Sequence, residues 1–181
     1  PIVENSDAKT GDDGIPTTGY HGYWASDFTK LNPHLGTEAE FKSLINAVHA
    51  RGMKLMVDVV LNHAGYGTED HFNSILKDAD GNTIKMLRDD SNTVTGDDVY
   101  DALSDLPDFV TENEDVMNQL VKWQTDWVKK YDIDYYRVDT VKHVNSETWA
   151  AFKNALTEAD AEFKMIGEYS GAGYGNTAGE L

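Results

Sequence analysis

The sequence predicts an α/β fold of parallel strands joined by helical crossovers. Three observations carry that expectation. Apolar, β-branched runs alternate with segments of helical period, the runs are too continuous for half-exposed strands, and glycines or capping residues separate the segments. A doubly wound sheet and a piece of a (β/α)-barrel both satisfy this alternation.

The elements follow in order. Pro1 to Thr18 is rich in Asp, Gly, Thr and Pro and reads as a loop hung from a short strand end at Ile2-Val3. "GTEAEFKSLINAVHARG" reads as a helix, with Thr37 and Glu40 as a capping box and Gly52 as its stop. Phe41, Leu44, Ile45 and Val48 make its apolar stripe. "KLMVDVVLNH" is expected to be a buried parallel strand. Residues 64–108 show no sustained period and are expected to form an irregular inserted subdomain between barrel-like parts at 1–63 and 109–181. "ENEDVMNQLVKWQTDWVKKY" then spaces Val116, Leu120, Trp123, Trp127 and Tyr131 as the core face of a helix. "DIDYYRVD", "SETWAAFKNALTEA" and "FKMIGE" complete the pattern as strand, helix and strand.

Composition narrows the function. The chain has 181 residues, enough for one domain with a substantial core, and its 15 Lys and Arg against 32 Asp and Glu give a net charge of −17. Such charge opposes binding to nucleic acid or anionic membrane and suits cations and neutral polar ligands. The absence of Cys removes disulfides, thiolate metal sites and cysteine nucleophiles. No apolar run reaches the ~18 residues of a membrane span. The Pro-Ile-Val-Glu start has neither an initiator Met nor a basic leader region, as a processed product or excised fragment would look.

Polar residues collect where the strands end: Asn62 and His63, then Arg137 and Asp139, then Glu168. In parallel α/β proteins those ends face the active site. Arg137 and Asp139 share one strand face about 7 Å apart. Beside an Arg, Asp139 is expected to stay ionised and to serve as a nucleophile. Glu168, following Phe163, Met165 and Ile166, is expected to have a raised pKa and to donate a proton. Two such carboxyls on strands ~4.8 Å apart suit retaining glycoside hydrolysis, which needs them about 5–5.5 Å apart. An Arg137–Asp139 salt bridge closing a barrel end accounts for the pair equally well. A third reading makes Asp139 and Glu168 magnesium ligands of a metal-dependent lyase. Tyr20, Tyr23 and Trp24 in the loop "GYHGYW" favour a sugar, since exposed rings stack on sugar faces. His21 in that loop is a possible substrate contact, whereas His34, His49 and His71 carry no site signal.

"GYHGYW", "DVVLNH", "LPDF", "RVDTVKH" and "IGE", in this order, resemble the α-amylase family, glycoside hydrolase family 13, from about Ile2 to Tyr169. The resemblance implies a partial TIM (β/α)8 barrel, about strands two to five, with a calcium-binding domain inserted after the third strand. It implies Asp139 as nucleophile, Glu168 as general acid/base and Arg137 as the residue orienting the nucleophile. Tyr23, Trp24 and His63 match contacts around the cleaved sugar, and Lys142 and His143 match contacts on the leaving-group side. Asn62, Asp108 and the main-chain carbonyl of His143 match calcium ligands, an oxygen set suited to that hard cation. A further carbonyl from 64–107 is expected but not placed, and Asp58 is given a supporting role.

The implied activity is α-1,4-glucan hydrolysis with retention, by a secreted, extracellular enzyme that is monomeric at full length. A related transglycosylase or amylopullulanase and a catalytically inactive carbohydrate-binding relative remain alternatives. The family's third carboxylate follows a His, and no His-Asp pair occurs in "YSGAGYGNTAGEL" after Glu168. The 181 residues are therefore expected to be a fragment, incomplete at both ends and inactive in isolation.

Overall fold

The computed structural model describes residues 1–6, 9–10, 15–89 and 94–171. Most of the segment after Glu168, where the third carboxylate is missed, lies outside the described residues. The first expected strand does not run with the parallel set: β1 (Val3–Asn5) pairs antiparallel with a later strand. A two-residue pairing of β2 (Lys9–Thr10) with β3 (Pro16–Thr17) lies between them in sequence. The partner of β1 is β4 (Ala25–Leu31), a strand that the pattern does not announce. Its buried residues, Ala25 and Phe28, stand three apart because register shifts interrupt the ladder, and a bulged strand loses the period-2 signal.

Helix α1 (Glu38–His49) starts at the expected capping box, with Thr37 Oγ1 accepting from Glu40 N at 3.3 Å and Glu40 Oε2 accepting from Thr37 N at 2.8 Å. Only Ile45 of the expected stripe is buried; Leu44 is 52% exposed on an open groove shared with Ile2, Leu31 and Phe41. Helix α2 (Glu69–Ile75) is a second element without a sequence signal, too short for a helical period to show.

β5 (Met56–Val59), β6 (Tyr135–Val138) and β7 (Lys164–Gly167) form the expected parallel sheet, in that order. Helices α3 (Glu114–Tyr131) and α4 (Ser146–Ala159) are the connections, capped by Asn113 and Asn145 side chains. Val57, Val59, Tyr136 and Val138 bury one face of the sheet. The other face is partly open, Met56 being 48% and Ile166 57% exposed, so the two-sided burial expected of "KLMVDVVLNH" holds only in its second half, where Val59 to His63 are all buried.

One apolar cluster joins these parts, and the 64–108 stretch contributes Phe72, Met86 and Leu87 to it beside Phe28 and Phe109. Trp127 Nε1 donates to the Phe28 carbonyl at 2.8 Å, locking β4 onto α3. Among the described residues no helix is long and apolar enough to cross a membrane.

Candidate active site

The sheet register places Asp58 of β5 opposite Arg137 of β6, and Arg137 opposite Ile166 of β7. Beyond the ladder the chain stays tied to its neighbours. Asp139 N donates to the Val59 carbonyl at 2.9 Å, and Glu168 N donates to the Val138 carbonyl at 2.8 Å. Thr140 then takes a left-handed conformation, φ 52°, and turns the chain into a single 3-10 turn, Val141–His143. A β-branched residue is strained there, and such strain collects at functional sites.

Arg137 is the hub. Its Nη1 lies 2.7 Å from Asp139 Oδ1 and 3.0 Å from Asp58 Oδ2, and its Nη2 lies 2.9 Å from Glu168 Oε1. Burial opposes the Arg137 charge, but Asp139, Asp58 and Glu168 outweigh it and raise its pKa. Tyr23 OH donates to Asp58 Oδ2 at 2.9 Å and is pushed up to about 12, by burial first and then by that carboxylate.

Asp139 departs from expectation. Burial pushes its pKa up to about 6; Arg137 pulls down, while a hydrogen bond to Glu168 and the charge on Glu168 push further up. The ion pair foreseen from sequence is present, yet desolvation and a second carboxyl outweigh it. The apolar enclosure expected for Glu168 is also not what forms: its side chain is 50% exposed, because Ile166 and Gly167 are exposed too. With Arg137 seated on both carboxyls, a magnesium ion there would sit beside a guanidinium, which disfavours the lyase arrangement.

The remaining candidates divide. Tyr23 joins the Arg137 cluster, and Trp24, half-buried, packs edge-on against His21 at 4.7 Å and Tyr66 at 5.0 Å. His63 is 2% exposed, its Nε2 3.1 Å from the Tyr23 carbonyl, and burial lowers its pKa to about 4. It packs beneath the loop rather than opening into it. Lys142 Nζ pairs with Asp98 at 3.0 Å, and His143 Nδ1 lies 3.0 Å from the Asp98 carbonyl. Asp98 belongs to the 64–108 stretch and carries no sequence signal, since it is one acidic residue among many.

Asn62, Asp108 and the His143 carbonyl do converge. The end of the Asn62 amide lies 2.8 Å from His143 O and 3.2 Å from Asp108 Oδ1, and as placed it presents oxygen to both. Three oxygens facing one another suit a hard cation, with an amide turned to donate nitrogen as the alternative. Asp108 Oδ2 is held by Arg88 Nε at 2.7 Å; burial pushes Asp108 up to about 7 against that pull. Among the described residues no three His, Cys, Asp or Glu side chains form a metal cluster, so any site here relies on the amide and carbonyl. As for the other histidines, His49 Nε2 lies 2.7 Å from Asp134 Oδ2, His34 sits in a turn capped by Asn32, and His71 is exposed against Phe72.

A family profile described as "Alpha amylase, catalytic domain" matches residues 1–85 and 95–172. An α-amylase of Streptomyces lividans is 31% identical over 98% of the chain and 26% of its own length. The α-amylase mde5 of Schizosaccharomyces pombe is 35% identical over 84% of the chain and 30% of its length. The crystal structure of an α-amylase from Geobacillus thermoleovorans, complexed with acarbose, superposes with a TM-score of 0.72 at 30% identity, covering 94% of the chain and 35% of that protein. The chain thus spans about a quarter to a third of the length of these relatives.

Proposed function

The chain belongs to the α-amylase family, and from that premise we propose that it carries the reacting carboxyls of a retaining hydrolase of α-1,4-glucans. The observation that supports this most is the single guanidinium shared by Asp139 and Glu168, at 2.7 and 2.9 Å.

In the proposed reaction an Asp139 oxygen attacks the anomeric carbon. Glu168 gives its proton to the glycosidic oxygen, the C–O bond breaks, and the leaving sugar departs. Glu168 then takes a proton from water, which attacks the same carbon and frees Asp139. Arg137 aims the Asp139 oxygen and favours its charge, while Asp58 and Tyr23 hold Arg137 in place. Trp24 and Tyr23 face the cleaved sugar; Lys142 and His143 meet the leaving one. His63 supports the Tyr23 carbonyl from below.

A calcium ion fits the convergence of Asn62, Asp108 and His143 O, where it would supply a structural cross-link between two strand ends and the 64–108 insertion. On this reading the chain forms strands two to five of a (β/α)8 barrel in a secreted, monomeric α-glucan-active enzyme. Hydrolysis of maltooligosaccharides by the gene-encoded polypeptide containing this chain tests the proposal. Asp139→Asn and Glu168→Gln are each expected to remove turnover; unchanged hydrolysis in either would overturn the assignment.

A further inference from the structure

The segment around Asp98 is closed on itself. The Asp101 carboxylate accepts from Thr95 N at 2.6 Å, Thr95 Oγ1 at 2.7 Å and Gly96 N at 2.9 Å, and Asp97 Oδ1 accepts from Val99 N at 3.0 Å. Arg88 fastens this turn to the body: Nη2 donates to the Val99 carbonyl at 3.4 Å, and the guanidinium lies 5.0 Å from the centre of the Tyr100 ring. A braced turn can hold Asp98 at a fixed position.

From there Asp98 makes two contacts of different kinds. Its side-chain Oδ2 lies 3.0 Å from Lys142 Nζ, and its main-chain carbonyl lies 3.0 Å from His143 Nδ1. A carbonyl can only accept, so His143 carries its proton on Nδ1. A neutral ring then offers Nε2 as an acceptor. Lys142, tethered through one N–H, keeps two N–H groups to donate. One residue thereby fixes a donor and an acceptor side by side, the pairing that neighbouring hydroxyls of a sugar require.

Building on the proposed hydrolase reading, we propose that Asp98 is a positioning residue that presets Lys142 and His143 to grip the hydroxyls of the leaving sugar. The charge of Lys142 is neutralised locally, which suits a neutral, polyhydroxylated leaving group rather than an anionic one. Because the His143 contact is main-chain, a side-chain substitution releases Lys142 alone.

The test compares wild type, Asp98→Asn and Asp98→Glu in the gene-encoded polypeptide, on two substrates. For maltoheptaose, whose leaving group is sugar, Asp98→Asn is expected to raise KM about threefold with kcat little changed, and Asp98→Glu to recover part of it. For an aryl maltotrioside, whose leaving group is not sugar, KM is expected to stay within about twofold of wild type. Equal effects on both substrates, or none on either, would overturn the proposal. A second readout does not depend on turnover: acylation of Lys142 by an amine reagent, followed by peptide mass spectrometry, should speed up about threefold in Asp98→Asn. An unchanged rate overturns the tether even if no hydrolysis is seen, whereas a faster rate with no wild-type hydrolysis leaves the tether standing and sinks the hydrolase reading.

Discussion

Arg137 and Asp139 stand two residues apart and close a 2.7 Å ion pair at the end of one strand, while the far nitrogen of the same Arg137 holds Glu168. A lysine can keep the charge but not the fork. Arg137→Lys is therefore expected to lower kcat on maltooligosaccharides by about 10²-fold, with a much smaller change in KM. Steady-state kinetics on purified variants of matched secondary structure check this.

The raised pKa of Asp139, about 6, has a definite sign for stability. Unfolded, the group titrates near ~3.9, so between those values the folded chain binds more protons than the unfolded one. Stability is then full below about pH 4 and falls as pH rises toward 6. Asp139→Asn removes that loss. At pH 7 the variant should be about 1 kcal/mol more stable than wild type after allowing for solvent screening, seen as a higher melting temperature, and the gap should close below about pH 4. Thermal melts across pH measure it. The acid limb of kcat/KM should turn over near pH ~6, reported by the coupled pair rather than by either carboxyl alone.

Asn62 and Asp108 predict a calcium dependence. At about a hundredfold excess over its dissociation constant, calcium should stabilise by about 2.7 kcal/mol, a rise of roughly 5–10 °C in Tm. A chelator should reverse the rise and Asp108→Asn should abolish it. Calorimetry with and without calcium provides the comparison; an equal rise in the variant would move the ion elsewhere.

Gly65 packs tightly against the chain at Trp24, and its N–H donates to the Ala25 carbonyl at 2.7 Å. A Cβ there would lie 2.4 Å from Ser6 Oγ and 2.5 Å from the Trp24 carbonyl. Gly65→Ala should cost about 2 kcal/mol, or roughly 4–8 °C in Tm, because backbone must move. It should also raise KM through displacement of Trp24, and tryptophan fluorescence would register that shift.

Helices α3 and α4 are legible in sequence because each buries a repeating face, Val116, Leu120, Trp127 and Tyr131 in the one and Thr148, Phe152 and Leu156 in the other, while the parallel strands show as short apolar runs. β4 is not legible, since a bulge displaces Phe28 from the alternation, nor is the outward turn of Leu44. The site divides along the same line. Asp139, Glu168 and Arg137 reveal themselves as polar residues at the ends of apolar runs. The direction of the Asp139 shift does not, because it depends on Glu168 and on burial, both long-range. Asp98 is invisible for a similar reason: its role comes from the braced turn that brings it to Lys142, not from its neighbours in the chain.

The central claim is that Asp139 attacks the sugar while Glu168 serves the proton transfers. Its most direct test is to treat the gene-encoded Glu168→Gln polypeptide with an activated 5-fluoro-α-glycosyl fluoride, whose leaving group needs no proton, and to locate the adduct by peptide mass spectrometry. The account predicts one glycosyl group esterified to Asp139. An adduct on any other residue, or none while the reagent is turned over, would contradict it.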